Sequence, residues 1–98
     1  MPEREIEWSP EAKNSFESIL EFYIERNGNK TYSKNLFKQI KQTISLILNN
    51  NYIGKATDEG ETRVLFKGHY AVFYEIKEKV IEIQLIWDNR RNPDDLVI

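Results

Sequence analysis

The sequence predicts an α+β fold: a two-helix antiparallel hairpin packed on a small, mainly antiparallel β-sheet, in the order β-α-α-β-β-β. Three observations carry that expectation. The runs Thr62–Lys67, Tyr70–Ile76 and Val80–Trp87 are rich in β-branched and aromatic residues, and only Gly68-His69 and Lys77-Glu78-Lys79 separate them. Gaps that short make each run the antiparallel neighbour of the next. Upstream, two segments with apolar residues at helical spacing flank a break at Asn27-Gly28-Asn29, and so short a connection folds the helices back on each other.

The first element is a short half-buried strand, in which Ile6 and Trp8 alternate with Glu5 and Glu7. Ser9 then suits a helix N-cap, because its hydroxyl oxygen can accept a free backbone N–H. Pro10 fits the first helical position, where its missing N–H costs nothing. Glu11 complements the positive end of the helix dipole. Ala12, Phe16, Ile19, Leu20, Tyr23 and Ile24 form one apolar stripe, with Glu17, Glu21 and Glu25 on the other side. Gly28 and its flanking asparagines tolerate the left-handed conformation that ends a helix. A second helix is expected from Lys30 to Leu48, with Leu36, Phe37, Ile40, Ile44, Ile47 and Leu48 as its apolar face and Lys30, Lys34, Lys38 and Lys41 on another. Asn49-Asn50-Asn51 ends it. Tyr52 to Glu61 reads as an irregular loop.

Alternation assigns the sheet faces. Val64 and Phe66, then Tyr70, Val72, Tyr74 and Ile76, then Ile81, Ile83, Leu85 and Trp87 are expected under the helices. The opposite face then carries Arg63, Leu65, Lys67, Ala71, Phe73, Glu75, Glu82, Gln84 and Ile86. Its apolar members are either scattered exposed hydrophobics, which are ordinary, or a docking surface for a partner.

Ninety-eight residues make a single domain, spanning 1–98. With 40% hydrophobic and 31% charged residues, the composition is that of a folded soluble chain and argues against disorder. The absence of cysteine removes disulfides, thiolate nucleophiles and cysteine-based zinc sites. No apolar run approaches bilayer length, and Met1-Pro2-Glu3-Arg4-Glu5 precedes no apolar stretch that would read as a signal peptide. A cytoplasmic location is expected, with no membrane association. The formal net charge of −2 counts against a generic nucleic-acid binder while leaving room for a local basic patch.

Most catalytic constellations are missing. There is one histidine, His69, in a tight turn, and neither metal-ligand spacing nor a phosphate-cradling glycine loop. No cofactor and no metal are expected. The remaining candidates are basic. Arg63 either pairs with a cross-strand carboxylate, Glu75 or Glu82, or serves as a phosphate ligand, for which guanidinium offers rigid paired donors. Arg90 and Arg91 follow the last strand, where Asp88, Asp94 and Asp95 compete for them. The lysine face of the second helix is either a solvated surface or an attractor for an acidic partner.

Taken together, these residues resemble the RelE/ParE superfamily of bacterial toxins from type II toxin–antitoxin modules. The resemblance is carried by Trp8-Ser9-Pro10-Glu11-Ala12, Gly54, Thr62-Arg63-Val64-Leu65, His69 to Ile76, and Trp87-Asp88-Asn89-Arg90-Arg91-Asn92-Pro93. It spans nearly the whole chain in the family's order. It implies two helices packed on an antiparallel sheet and a co-expressed cognate antitoxin that wraps the toxin. It also implies one of two activities: poisoning of DNA gyrase, as in ParE-like members, or ribosome-dependent cleavage of messenger RNA, as in RelE-like members. A toxin-fold chain that only binds its antitoxin is a further alternative. In the nuclease reading the catalytic positions fall on Arg63 and on Arg90 or Arg91. The late tyrosine of some nucleases has no counterpart, since nothing after Tyr74 is tyrosine and the tail offers Leu96, and the basic loop is represented by Lys55 alone. The resemblance therefore leans to the ParE-like side. The antitoxin surface is expected to include Leu65, Phe73, Ile86 and Leu96.

Overall fold

The computed structural model describes residues 4–90. The chain runs β1 (Glu5–Trp8), α1 (Pro10–Asn27), α2 (Thr31–Asn49), β2 (Lys55–Ala56), β3 (Thr62–Lys67), β4 (Tyr70–Ile76) and β5 (Val80–Asp88). The sheet order is β1-β5-β4-β3-β2, with β1 parallel to β5 and every other pair antiparallel. Both helices pack on one face, giving the two-layer α+β arrangement.

The local signals act as expected at the helix ends. The Ser9 hydroxyl accepts the Ala12 N–H at 3.0 Å. Gly28 ends α1 at φ 71°, and its N–H donates to the Ile24 carbonyl at 2.9 Å. The Asn29 side chain accepts the Thr31 N–H at 3.1 Å, so α2 is capped from the residue before Lys30. The hairpin is tied by the Ser33 hydroxyl, which donates to the Leu20 carbonyl at 2.7 Å.

β1 ends at Trp8, leaving the lower-numbered half of β5 paired and the rest of that edge open. Serines close it. The Ser9 hydroxyl donates to the Gln84 carbonyl at 3.2 Å, and the Ile86 N–H donates to the Ser15 hydroxyl at 3.1 Å. This stitching of α1 to β5 satisfies backbone groups that a sheet edge would otherwise leave bare.

The main core joins Ala12, Phe16, Ile19 and Tyr23 of α1 and Leu36, Ile40, Ile44 and Ile47 of α2 to Tyr70, Val72, Tyr74, Ile81, Ile83 and Ile86 of the sheet. Three expectations need correction. Tyr52 to Glu61 is not wholly irregular, because Lys55–Ala56 forms β2 against Val64 and Arg63. On β3 the faces are reversed: Leu65 packs on the main core, and Val64 belongs to a second cluster on the far face. On β5 a bulge breaks the alternation, since Phe73 pairs with Leu85 but Tyr74 pairs with Ile83, leaving Gln84 as the extra residue. Beyond it, Ile86 turns inward to 1% exposure, while Leu85 and Trp87 turn to the far face with Val64, Ala71 and Phe73.

Candidate functional site

Arg63 and Tyr74 are cross-strand partners, so both project toward the helix side of the sheet rather than onto the open face expected for Arg63. The loop after α2 closes over them. The buried Tyr74 hydroxyl donates to the Asn51 carbonyl at 2.8 Å and accepts the Gly54 N–H at 2.9 Å. Arg63 donates to the Gly54 carbonyl through Nε at 3.2 Å and Nη2 at 2.6 Å, and reaches the Tyr52 carbonyl at 3.4 Å. Its guanidinium lies 5.2 Å from the centre of the Tyr52 ring, a cation–π contact. Arg63 thus straps the loop to β3. Glu75 and Glu82, its expected carboxylate partners, instead flank Lys77 at 3.9 and 3.4 Å.

At the other end of β4, Asp88 and Arg90 build a cluster with three tyrosines. Asp88 is 4% exposed. Its carboxylate accepts from the Tyr23 hydroxyl at 2.7 Å, from Arg90 Nε and Nη2 at 3.0 and 3.1 Å, and from the Arg90 backbone N–H at 2.9 Å. Arg90 Nη2 also donates to the hydroxyls of Tyr70 at 2.6 Å and Tyr32 at 3.2 Å, which lie 2.7 Å from each other. The Arg90 guanidinium stands 4.9 Å from the Tyr23 ring centre and 5.5 Å from that of Tyr70.

The electrostatics follow from this packing. Burial pushes the Asp88 carboxyl up, but hydrogen bonds from the Arg90 guanidinium, the Tyr23 hydroxyl and the Arg90 backbone, with the positive charge itself, outweigh it and hold the group below its usual value. Burial, then the bond to Asp88, pushes the Tyr23 hydroxyl up. Burial, then the bond to Tyr32, does the same to Tyr70. The Asp88 hydrogen bond is the main reason that Arg90 is held charged above its ordinary range.

Arg63 and Arg90 are therefore not brought together. They bond near Tyr74 and Tyr70, whose Cα atoms stand four residues apart on one strand, about 13 Å. Each guanidinium is committed to protein acceptors. His69 lies in the exposed β3–β4 turn. Arg91 and Leu96 lie outside the described residues. Among the described residues no group of three or more His, Cys, Asp or Glu side chains could hold a metal ion, and no helix is long and apolar enough to cross a membrane. Tyr32 carried no sequence signal, and Tyr23 and Tyr70 read only as apolar positions. The clue was Asp88 two residues before Arg90, a spacing that lets one carboxylate take both the arginine's backbone N–H and its side chain.

Of the expected docking residues within the described span, two change face and Phe73 keeps the assigned one but is buried there. Leu65 and Ile86 pack on the helix side, and Phe73 is 8% exposed within the far-face cluster. The open apolar surface is on the hairpin. Trp8, Phe16 and Phe37 stack in series, with ring centres 5.7 and 5.9 Å apart, and Phe37 is 49% exposed. Two clefts adjoin it, of about 440 Å³ beside Trp8, Phe16, Leu20, Lys13 and Lys41, and about 270 Å³ beside Leu20, Ile24, Lys30 and Lys34. The result is a groove with an apolar floor and a rim of four lysines, Lys13, Lys30, Lys34 and Lys41, with Glu17 among them.

A helical hairpin on one face of a mixed five-stranded sheet is the architecture of ParE/RelE-type toxin structures. The fold is similar to a solved chain of the chromosomal ParDE TA system from P. aeruginosa, with a TM-score of 0.76 at 16% identity, covering 90% of this chain and 98% of that one. It is also similar to a chain of the E. coli DinJ-YafQ toxin-antitoxin complex, with a TM-score of 0.58 at 11% identity over 90% and 94% of the two chains. YafQ from E. coli strain BL21(DE3) gives a TM-score of 0.57 at 11% identity over 89% and 94%. At such identities the likeness is one of fold. No curated protein matches the sequence. Residues 6–93 match the family described as ParE toxin of type II toxin-antitoxin system, parDE, and the chain belongs to that family.

Proposed function

We propose that this chain, as the toxin of a type II toxin–antitoxin module, inhibits growth by binding and poisoning DNA gyrase and does not cut messenger RNA. The observation that carries the reading is the state of the two arginines. A nuclease needs positive donors converging on one phosphate, with a proton-transfer group beside them. Here Arg63 is spent on loop carbonyls, Arg90 on Asp88 and three tyrosines, and a strand's length separates them. Asp88 is saturated by donors rather than poised to take a proton. Membership of the ParE family supports the same choice.

The cognate antitoxin is the natural partner of the groove on the helical hairpin. The ParDE and DinJ-YafQ structures are those of toxin–antitoxin systems. An amphipathic segment with acidic flanks suits an apolar floor rimmed by Lys13, Lys30, Lys34 and Lys41, and its ordering on binding is the usual behaviour of such partners.

The test of the activity is to induce the chain without its antitoxin and map RNA ends across the transcriptome. Intact transcripts in growth-arrested cells are expected. Codon-phased cuts that vanish in Arg63→Ala would establish the nuclease instead.

A further inference from the structure

The outer surface of the helical hairpin is divided by charge. On α1, Glu17, Glu21 and Glu25 recur every fourth residue and are all exposed. On α2, Lys30, Lys34, Lys38 and Lys41 are exposed in the same way. Each set faces away from the sheet, because Phe16, Ile19 and Tyr23 of α1 and Leu36, Ile40 and Ile44 of α2 fill the opposite side of their helices. Between the two stripes runs the apolar floor of Leu20, Ile24 and the exposed Phe37. The ion pairs among the described residues are those of Lys77 and Arg90, so neither stripe is neutralised by them.

We propose that this surface is self-complementary and that, without antitoxin, two copies of the chain pair through it across a two-fold axis parallel to the hairpin. With their helices aligned, two hairpins meeting face to face across a two-fold have two arrangements. An axis at right angles to the helices sets α1 on α1 and α2 on α2, glutamate against glutamate and lysine against lysine, which is repulsive. An axis parallel to the helices sets α1 of each copy over α2 of the other. That rotation keeps every residue at its own height, so the level of α1 against α2 within one chain fixes the register between copies. Leu20 is level with Ser33, which donates to its carbonyl, and Phe16 is level with Phe37, on which it stacks. Glu17 and Glu21 therefore meet the turns of the second copy's α2 that carry Lys30, Lys34 and Lys38, and the same contacts repeat on the other side of the axis. Lys13 and Lys41 make the one like-charge contact, beside Glu17. At the centre, the exposed Phe37 ring of each copy is a knob for the other's cleft beside Phe16 and Leu20, an apolar core with a charged rim. In its consequence the proposal rests on the reading of this groove as the antitoxin site: a second copy and an antitoxin segment exclude each other, so the dimer keeps the groove closed until antitoxin displaces it.

Sedimentation velocity over a concentration series tests this with two charge-reversed variants. The wild type is expected to pass from monomer to dimer as concentration rises, and to do so less readily with added salt. Glu17→Lys with Glu21→Lys makes both helices positive, and Lys34→Glu with Lys38→Glu sets negative charge on α2 against a negative α1. Each variant alone is expected to remain monomeric. An equimolar mixture of the two is expected to recover the dimer, since each supplies the charge that the other lacks. All four side chains are exposed, and recovery in the mixture shows that neither variant has merely unfolded. A dimer that survives in either variant, or a mixture that stays monomeric, would overturn the proposal. For Glu17→Lys with Glu21→Lys, calorimetry should show tighter antitoxin binding than wild type, because no dimer has to open and the groove gains positive charge. Equal or weaker binding would contradict a groove shared by antitoxin and second copy. A wild type that never dimerises, while Lys34→Glu with Lys41→Glu still weakens its antitoxin binding, would sink this proposal and leave the antitoxin reading standing.

Discussion

Gly54 shows how one residue ties a loop to the sheet. Its N–H donates to the Tyr74 hydroxyl and its carbonyl takes two bonds from Arg63. A Cβ at this position would lie 2.7 Å from the Tyr74 hydroxyl oxygen and 2.8 Å from the Val64 carbonyl oxygen. The carbonyl belongs to a paired strand and cannot give way. Gly54→Ala is therefore expected to cost about 1–3 kcal/mol, the range for overpacking, read as a lower midpoint in urea unfolding. In the sequence Gly54 was visible as a loop glycine and as one of the residues that carry the family resemblance, but nothing local reveals which strand it must approach. Asp88 is the second residue on which much depends. Its folded carboxyl is lowered, so the stability it contributes is present above the ordinary carboxylate range and is lost as pH falls through the lowered folded value. The raised hydroxyls of Tyr23 and Tyr70 act with the opposite sense: their contribution is full below the ordinary tyrosine value, about 10, and is lost as pH rises beyond it. The melting temperature should fall at both extremes, and Asp88→Asn should flatten the acid limb below about pH 4. In Asp88→Ala the loss should be about 2–3 kcal/mol at neutral pH, under the ~3–5 of a fully buried broken pair, because the Arg90 side chain is 39% exposed. An acid limb unchanged in Asp88→Asn would remove this carboxylate from the pH dependence.

At the level of elements, the strands and helices were legible because their signals are local. Ser9-Pro10 set the start of α1, Gly28 its end, and the short gaps of the last three runs fixed their antiparallel order. The faces of β3 and the second half of β5 were not legible. Alternation extrapolates with period two, and the extra residue at Gln84 shifts the phase, so Ile86 rather than Leu85 continues the inward series from Ile81 and Ile83. On β3 the apolar set Val64 and Phe66 was assigned to the helices, but the far face also holds an apolar cluster, so burial alone could not choose between Val64 and Leu65. The bulge makes a sharp prediction. Ile86→Ala should cost about 2–5 kcal/mol as a core truncation, and Leu85→Ala clearly less, since Leu85 is only partly buried. Equal losses in urea denaturation would argue against the phase shift. The parallel pairing of β1 with β5 was equally hidden, because a strand separated from its neighbour by two helices carries no sequence mark of its partner.

For the whole molecule, the fold class was readable from element order, whereas the arginine-centred networks were not, since residues far apart in sequence assemble them. Tyr23, Tyr32, Tyr70 and Asp88 come from four different elements. The lysine face of α2 was readable as a basic surface, and the structure adds the apolar floor that makes it a groove. Lys34→Glu with Lys41→Glu should leave the fold unchanged while weakening binding of the cognate antitoxin, and the wild-type affinity should fall with added salt as screened surface charge requires. Calorimetry showing the same affinity for the double variant and the wild type would move the antitoxin elsewhere. The central claim is that this toxin binds a topoisomerase rather than cleaving RNA. It is tested most directly by titrating the purified chain into a DNA gyrase supercoiling reaction. Inhibition that deepens with toxin concentration and is relieved by the antitoxin is the expected result; full supercoiling at saturating toxin, with ribosome-bound messenger cut by the same preparation, would contradict it.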